Sequence, residues 1–259
     1  MSKRVFVHVP YLQMAAHLPY LLERRLNPEI FLSAEALDAS TPTELVATAA
    51  VLREEGLSCT IHAPFMDLNP GSLERLLRDA TVHRFEQVLG AAEILRPEVM
   101  VFHPGFDRWR YGEAIDQWLE LSVVVWRGVL RRAKGIGTVI AVENIFEEEP
   151  STLMRLFEAV DDPQFRHCFD VGHWNLFKKV DMEQWFEALG DKIAEVHIHD
   201  NSGTRDDHAP PGKGAIDFQQ FFGLMERYAP EAAYTIEAHS LAHLESSLAA
   251  LKPYLGGKR

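Results

Sequence analysis

The sequence lacks several things, and each absence narrows what it can be. It contains no run of 18 apolar residues, so no segment offers itself as a bilayer-spanning helix. Its first residues, MSKRVFVHVPYLQ, lack the long apolar core of a signal peptide. Cysteine is scarce: only Cys59 and Cys168 occur, in expected strands and without metal-type spacing, a usage that suits a reducing cytoplasm. Positive charge is short as well, and a net charge of −12 argues against a surface built to lie along nucleic acid. Three bound divalent ions would still leave the chain acidic. No Pro/Gly/Ser linker, low-complexity tract or charge block divides the 259 residues, so one domain over 1–259 is expected.

What the chain does have is a regular alternation of short apolar segments and amphipathic stretches. Strands are expected at Arg4–Val9, Ile30–Ala34, Ser58–His62, Val99–His103, Thr138–Glu143, Phe165–Asp170, Ala194–His199 and Ala233–Glu237. Between them, apolar residues recur at helical spacing, as in Leu73, Leu76, Leu77 and Ala80, or Leu241, Leu244, Leu248 and Leu251. Asp181 and Asp217 read as helix starts, the latter with Gln220 three residues on. Eight strand–helix units predict a (β/α)₈ TIM barrel. A doubly wound open sheet is the alternative, but no glycine-rich phosphate fingerprint follows the first strand.

Polar residues fall at the ends of these strands. His62 ends the third, His103 the fourth and Glu143 the fifth. Asp170 and His173 close the sixth, His197 lies in the seventh with Asp206 and His208 in its loop, and Glu237 ends the eighth. In a barrel of parallel strands the C-terminal ends converge on one face, where active sites sit. A lone histidine at a strand end is more often structural than a ligand. A glutamate after an apolar strand demands a partner or a cation, and coincidence at six successive strand ends is hard to sustain. In the stretch Glu195–Phe218, carboxylates crowd among histidines and repel one another unless cations lie between them.

Other polar residues receive plainer readings. His8, His17, His83, His167 and His243 are taken as structural or surface residues. Trp109, between Arg108 and Arg110, either overhangs the site or anchors a solvated loop; Glu35 either bonds substrate or pairs with a neighbouring strand. The run Glu147–Glu149 is expected to be a solvated helix start.

The segments HAP at His62, HPG at His103, VEN at Glu143, DVGHWN at Asp170, HIHDN at His197 and DDHAPPGKG at Asp206 together resemble the xylose-isomerase-like TIM-barrel superfamily. That superfamily holds sugar isomerases and epimerases alongside endonuclease IV-type apurinic/apyrimidinic endonucleases. The epimerase branch implies one divalent ion on Glu143, Asp170, His197 and Glu237, with the two glutamates moving protons. It also implies that His173 and Arg205 hold substrate oxygens. The endonuclease branch implies further ions, with His62 and His103 joining Glu143, and His173, Asp206 and His208 holding another. Where this superfamily usually reads Gly-Glu-Gly, the chain has Gly212-Lys213-Gly214, which puts a cation where an anion is expected and leaves Lys213 as a substrate-binding candidate beside Trp174.

The donor set lacks thiolates and therefore suits one to three Zn, Mn, Co or Mg ions. The leading expectation is a metal-dependent isomerase or epimerase of a sugar or related polyol or keto compound, with Glu143 and Glu237 as acid and base. The alternatives are a zinc-cluster phosphodiesterase, a dehydratase on the same scaffold, and a metal-binding barrel without activity. Against the phosphodiesterase stand the acidic charge and loops whose cations are little more than Arg108, Arg110, Arg205 and Lys213. A small sugar-like substrate is the expected partner, with no membrane or nucleic acid, and a homo-oligomer is left open.

Overall fold

A computed structural model of the chain describes residues 3–256. Its eight strands are β1 (Arg4–Pro10), β2 (Asn27–Phe31), β3 (Thr60–His62), β4 (Val99–Phe102), β5 (Val139–Glu143), β6 (Phe165–Asp170), β7 (Ile193–Ile198) and β8 (Ala233–Ile236). They follow one another in chain order around a closed barrel. The pairings of β1 with β8, of β2 through β5 in succession, and of β6, β7 and β8 are all parallel. The α-helices between them are α1 (Met14–Arg24), α2 (Ala34–Ala39), α3 (Pro42–Glu54), α4 (Arg75–Leu95), α5 (Arg108–Tyr111), α6 (Ile115–Ile136), α7 (Ser151–Val160), α8 (Val171–Phe177), α9 (Met182–Leu189), α10 (Phe218–Tyr228) and α11 (Leu241–Leu255). This is the (β/α)₈ arrangement that the alternation predicts. No described helix is long and apolar enough to cross a membrane.

Local chemistry sets the element ends. The Thr41 side chain and Glu44 form a reciprocal capping box at the start of α3, and Asp181 with Gln184 does the same for α9. The second strand departs from expectation: it occupies Asn27–Phe31, and Ala34 already begins α2. The cause is Ser33, whose hydroxyl accepts the Ala36 N–H at 3.0 Å and turns the chain into a helix.

The packing falls into two compact parts. One contains β1 as far as His8, Glu143–Met154 and the C-terminal stretch from His167; the other contains Val9–Val142 and Arg155–Arg166. In the first, Phe169, Trp185, Phe186 and Phe221 are buried against one another. In the second, Phe85, Phe102, Trp126 and Phe165 form the corresponding aromatic core.

Candidate functional site

The charged residues of the first part gather at the ends of four strands. Glu143 and Asp170 are the last residues of β5 and β6, His197 lies in β7 with His199 just past its end, and Glu237 directly follows β8. Residues two apart on a strand share a face, so His197 and His199 point the same way. All five are buried, and Asp170, His197 and His199 are fully inaccessible. His197 Nδ1 lies 3.6 Å from Glu143 Oε1, 3.8 Å from Asp170 Oδ2 and 3.3 Å from Glu237 Oε1. His199 Nε2 lies 3.1 Å from Asp170 Oδ2 and 3.9 Å from Glu237 Oε2.

Each sequence segment around these residues has a local reason. In VEN, the Asn144 amide donates to the Asp170 carbonyl and accepts the Asp170 N–H, both at 2.9 Å, and so ties the ends of β5 and β6 together. In DVGHWN, Asp170 Oδ1 accepts the His173 N–H at 2.7 Å and caps α8, which leaves Oδ2 for the imidazoles. A Cβ on Gly172 would stand 2.0 Å from His199 Cε1, so only glycine lets that ring lie flat on the backbone. His173 then reaches Glu143 Oε1 at 3.0 Å through Nδ1 and Asp206 Oδ2 at 3.4 Å through Nε2.

The long β7 loop is folded back by Asp200. Its buried carboxylate accepts N–H groups from Asn201, Gly212, Gly214 and Ile216, and its backbone bridges Ala209 by two bonds of 2.8 Å. Gly212 has φ +84°, and a Cβ on Gly214 would meet Asp200 Oδ1 at 2.3 Å. The two glycines of GKG are therefore set by backbone geometry, while Lys213 between them is exposed. This fold brings His208 Nε2 to 3.1 Å from Asp206 Oδ2 and His208 Nδ1 to 3.5 Å from Glu237 Oε2. The His208 ring stacks on His199 at 4.0 Å and 8°.

The electrostatics follow from this crowding. Burial alone would pull His173 down, but Asp170, Asp206 and Glu143 outweigh it and hold the imidazole well above its ordinary range. His208 is raised in the same way by Asp206 and Glu237 against its burial. Burial pushes the Asp170 and Asp206 carboxyls up, yet the surrounding imidazoles win and hold both below the usual carboxylate range. Protons on imidazoles thus balance the carboxylates when nothing else does.

The residues present fit a divalent cation. The buried Nδ1 atoms of His199 and His208 have no hydrogen-bond partner among the described residues, and each lies near a carboxylate oxygen. The donor atoms of Asp170, His173 and His199 lie within 4.8 Å of one another. All are imidazole nitrogens or carboxylate oxygens, the donors of hard or borderline ions. The Cys168 thiol nearby is buried and pushed up by that burial, which keeps it protonated.

Other expected residues have other immediate neighbours. Arg205 is exposed, with Nε 3.5 Å from Asp207, and Trp109 is 84 % exposed under the Arg108 guanidinium. Trp174 is buried in α8 with Lys178 Nζ 4.0 Å from its ring centre. In the other compact part, His62 ends β3 with Nδ1 2.8 Å from the Ala63 carbonyl, its ring 5.2 Å from that of His103. His103 stacks on Phe65 at 4.3 Å.

One expectation is overturned. Glu147 is not a solvated helix residue: it is buried, accepts the Ile145 N–H at 2.7 Å, and burial pushes its carboxyl up to about 7. His8, expected to be structural or surface, has its Nδ1 3.6 Å from Glu237 Oε1. Sequence reasoning also passed over His199, Asp200 and Asn144 as parts of the site. The period-two spacing of His197 and His199 was the available signal for the first of these.

Residues 29–254 match the family described as xylose isomerase-like TIM barrel. The chain belongs to that family. Among its relatives, an uncharacterized protein of Methanocaldococcus jannaschii is 27% identical over 202 residues, covering 75% of this chain and 69% of that protein. A solved structure of a Thermus thermophilus protein soaked with ZnCl₂ is 26% identical, with a TM-score of 0.81 and coverage of 98% and 99% of the two chains. A D-tagatose 3-epimerase-like protein shares the xylose isomerase-like fold at a TM-score of 0.85, 23% identity and 97% coverage of each chain.

Proposed function

We propose that this protein is a divalent-metal-dependent isomerase or epimerase acting on a sugar or related polyol or keto compound. The observation that carries the proposal is the convergence of Glu143 and Glu237, from β5 and β8, to within 3.6 and 3.3 Å of one imidazole nitrogen, His197 Nδ1. The cation would be held by Glu143, Asp170 and Glu237 with the imidazoles that β7 presents, of which His199 is nearer to Asp170 and His197 nearer to Glu143. When bound, a divalent ion supplies Lewis-acid polarisation of a hydroxyl and its adjacent carbonyl. One glutamate carboxylate then takes the proton from the carbon beside the carbonyl, and the other returns a proton through an enediolate-like intermediate of the substrate. His173, at the edge of the cluster, is placed to hold a substrate oxygen. Burial of the cluster keeps water from competing for the abstracted proton. The D-tagatose 3-epimerase-like neighbour supports a ketose as the first substrate to try.

The test is solvent-deuterium incorporation into D-tagatose and related ketoses. Glu143→Gln and Glu237→Gln should each reduce exchange by about 10²–10⁴-fold, the usual size of general acid–base catalysis. Exchange retained in both variants would sink the assignment.

A second reading, phosphodiester hydrolysis on a zinc cluster, is favoured by one feature. The His199 and His208 rings are nearly parallel and 4.0 Å apart, so their in-plane lone pairs cannot both point at one ion. If both are ligands they serve different ions. Two or three zinc ions per chain by elemental analysis, together with cleavage of an abasic-site duplex, would put this reading first. One ion per chain with no cleavage would retire it.

A further inference from the structure

A residue outside the expected site completes the histidine cluster. His239, two residues beyond Glu237, is exposed and lays its imidazole on the outer face of His208, with ring centres 4.0 Å apart and planes at 24°. His208 thereby lies between two rings, His199 on the buried side and His239 on the solvent side. We propose that His239 is a positioning residue that clamps His208, acting as a flat ring rather than through its nitrogens. The proposal rests on the metal-centre part of the functional reading above.

Three observations carry it. His208 has φ +44°, a left-handed backbone that non-glycine residues adopt only when the surroundings hold them there. Its Nε2 is held by Asp206 at 3.1 Å, while Nδ1 only faces Glu237 at 3.5 Å, so the tilt about the Nε2 contact is what remains to be fixed. Nδ1 is buried without a hydrogen-bond partner among the described residues, so no bond of its own sets its direction. A nearly parallel stack resists that tilt. The same stacking keeps His239 from sharing an ion with His208, because lone pairs in parallel planes do not converge.

The test measures Zn²⁺ affinity by calorimetry on the chelator-stripped full chain, with ring ¹⁵N spectra of His208 recorded on the metal-free protein. His239→Ala should weaken zinc binding about 10-fold, the lower end of what ligand-orienting neighbours contribute. His239→Phe, which keeps a ring and loses both nitrogens, should stay within about 2-fold of the wild type, a smaller change than removing such a neighbour brings. In a His208→Ala background, adding His239→Ala should change nothing further. The proposal is overturned if the phenylalanine variant binds as weakly as the alanine variant, or if the loss persists without His208. Should the wild type bind no zinc, the functional reading falls and the clamp is judged on the spectra alone. The His208 ring signals should then shift in His239→Ala and hold in His239→Phe; signals unmoved in both would refute the clamp.

Discussion

Two groups of histidines at strand ends illustrate how neighbours define a residue's role. Around β6 and β7, His173, His199 and His208 face Asp170, Asp206, Glu143 and Glu237, and each ring has a carboxylate oxygen within 3.5 Å. Near the ends of β3 and β4, His62 has the Ala63 carbonyl and the rings of Phe31 and Phe65 as neighbours, and His103 stacks on Phe65. The first set is an electrostatic cluster in which charge must be balanced by protons or a cation. The second has aromatic rings for neighbours. The same residue type is given different neighbours by what surrounds it.

The largest effect that would sharpen this contrast is expected from Asp170→Asn. This substitution keeps a cap for α8 but removes the charge shared by His173 and His199, and zinc affinity should fall by more than about 100-fold, beyond the cost of losing an outer partner. Titration calorimetry would show it, and an affinity unchanged from the wild type would break the electrostatic account.

Next comes packing. Gly172→Ala forces a methyl group into the His199 ring and should cost about 1–3 kcal/mol, read as a melting temperature lower by several degrees together with weaker metal binding. Gly135→Ala in α6, where an added Cβ meets nothing within 4 Å, should instead stabilise by about 0.4–1 kcal/mol.

A smaller effect is expected from pH. His173 and His208 are held above the unfolded imidazole value, so their contribution to stability is complete below about pH 6.5 and is lost as pH rises through their folded values. Asp170 and Asp206 are held low, so theirs is present above about pH 4 and lost as pH falls. Thermal melts of the stripped protein should therefore show stability declining above about pH 6.5. With saturating zinc the trend should reverse, because the ligands must shed their protons. A flat profile in both conditions would show that protons and metal do not compete.

The smallest effect is expected at His62 and His103. His62→Gln and His103→Gln should leave the number of bound ions unchanged by elemental analysis. A lower count would move those histidines into the cluster's category and erase the contrast.

Much of this architecture could be read from the chain because it depends on local periodicity. Strand–helix alternation, the capping aspartates and the acidic and imidazole residues at strand ends all follow from residue type and spacing. The second strand begins three residues before the pattern predicts, and the chain turns into α2 where the Ser33 hydroxyl caps it. Glu147 looked solvated because acidic residues before a helix usually are. Its burial comes from how the loop after β5 packs, which spacing does not encode.

The sequence determined the barrel and the inventory of donors, since both are written in short-range pattern. It did not determine which donors meet. Asp200 gathers N–H groups from residues up to sixteen positions away, and that gathering carries Asp206 and His208 back over β7. Gly172 and His199 lie far apart in sequence, yet the missing side chain of one makes room for the ring of the other. His239 becomes part of the cluster only because its ring lands on His208. These are contacts between segments brought together by folding, and their strength depends on distances of a few ångströms that no linear pattern specifies.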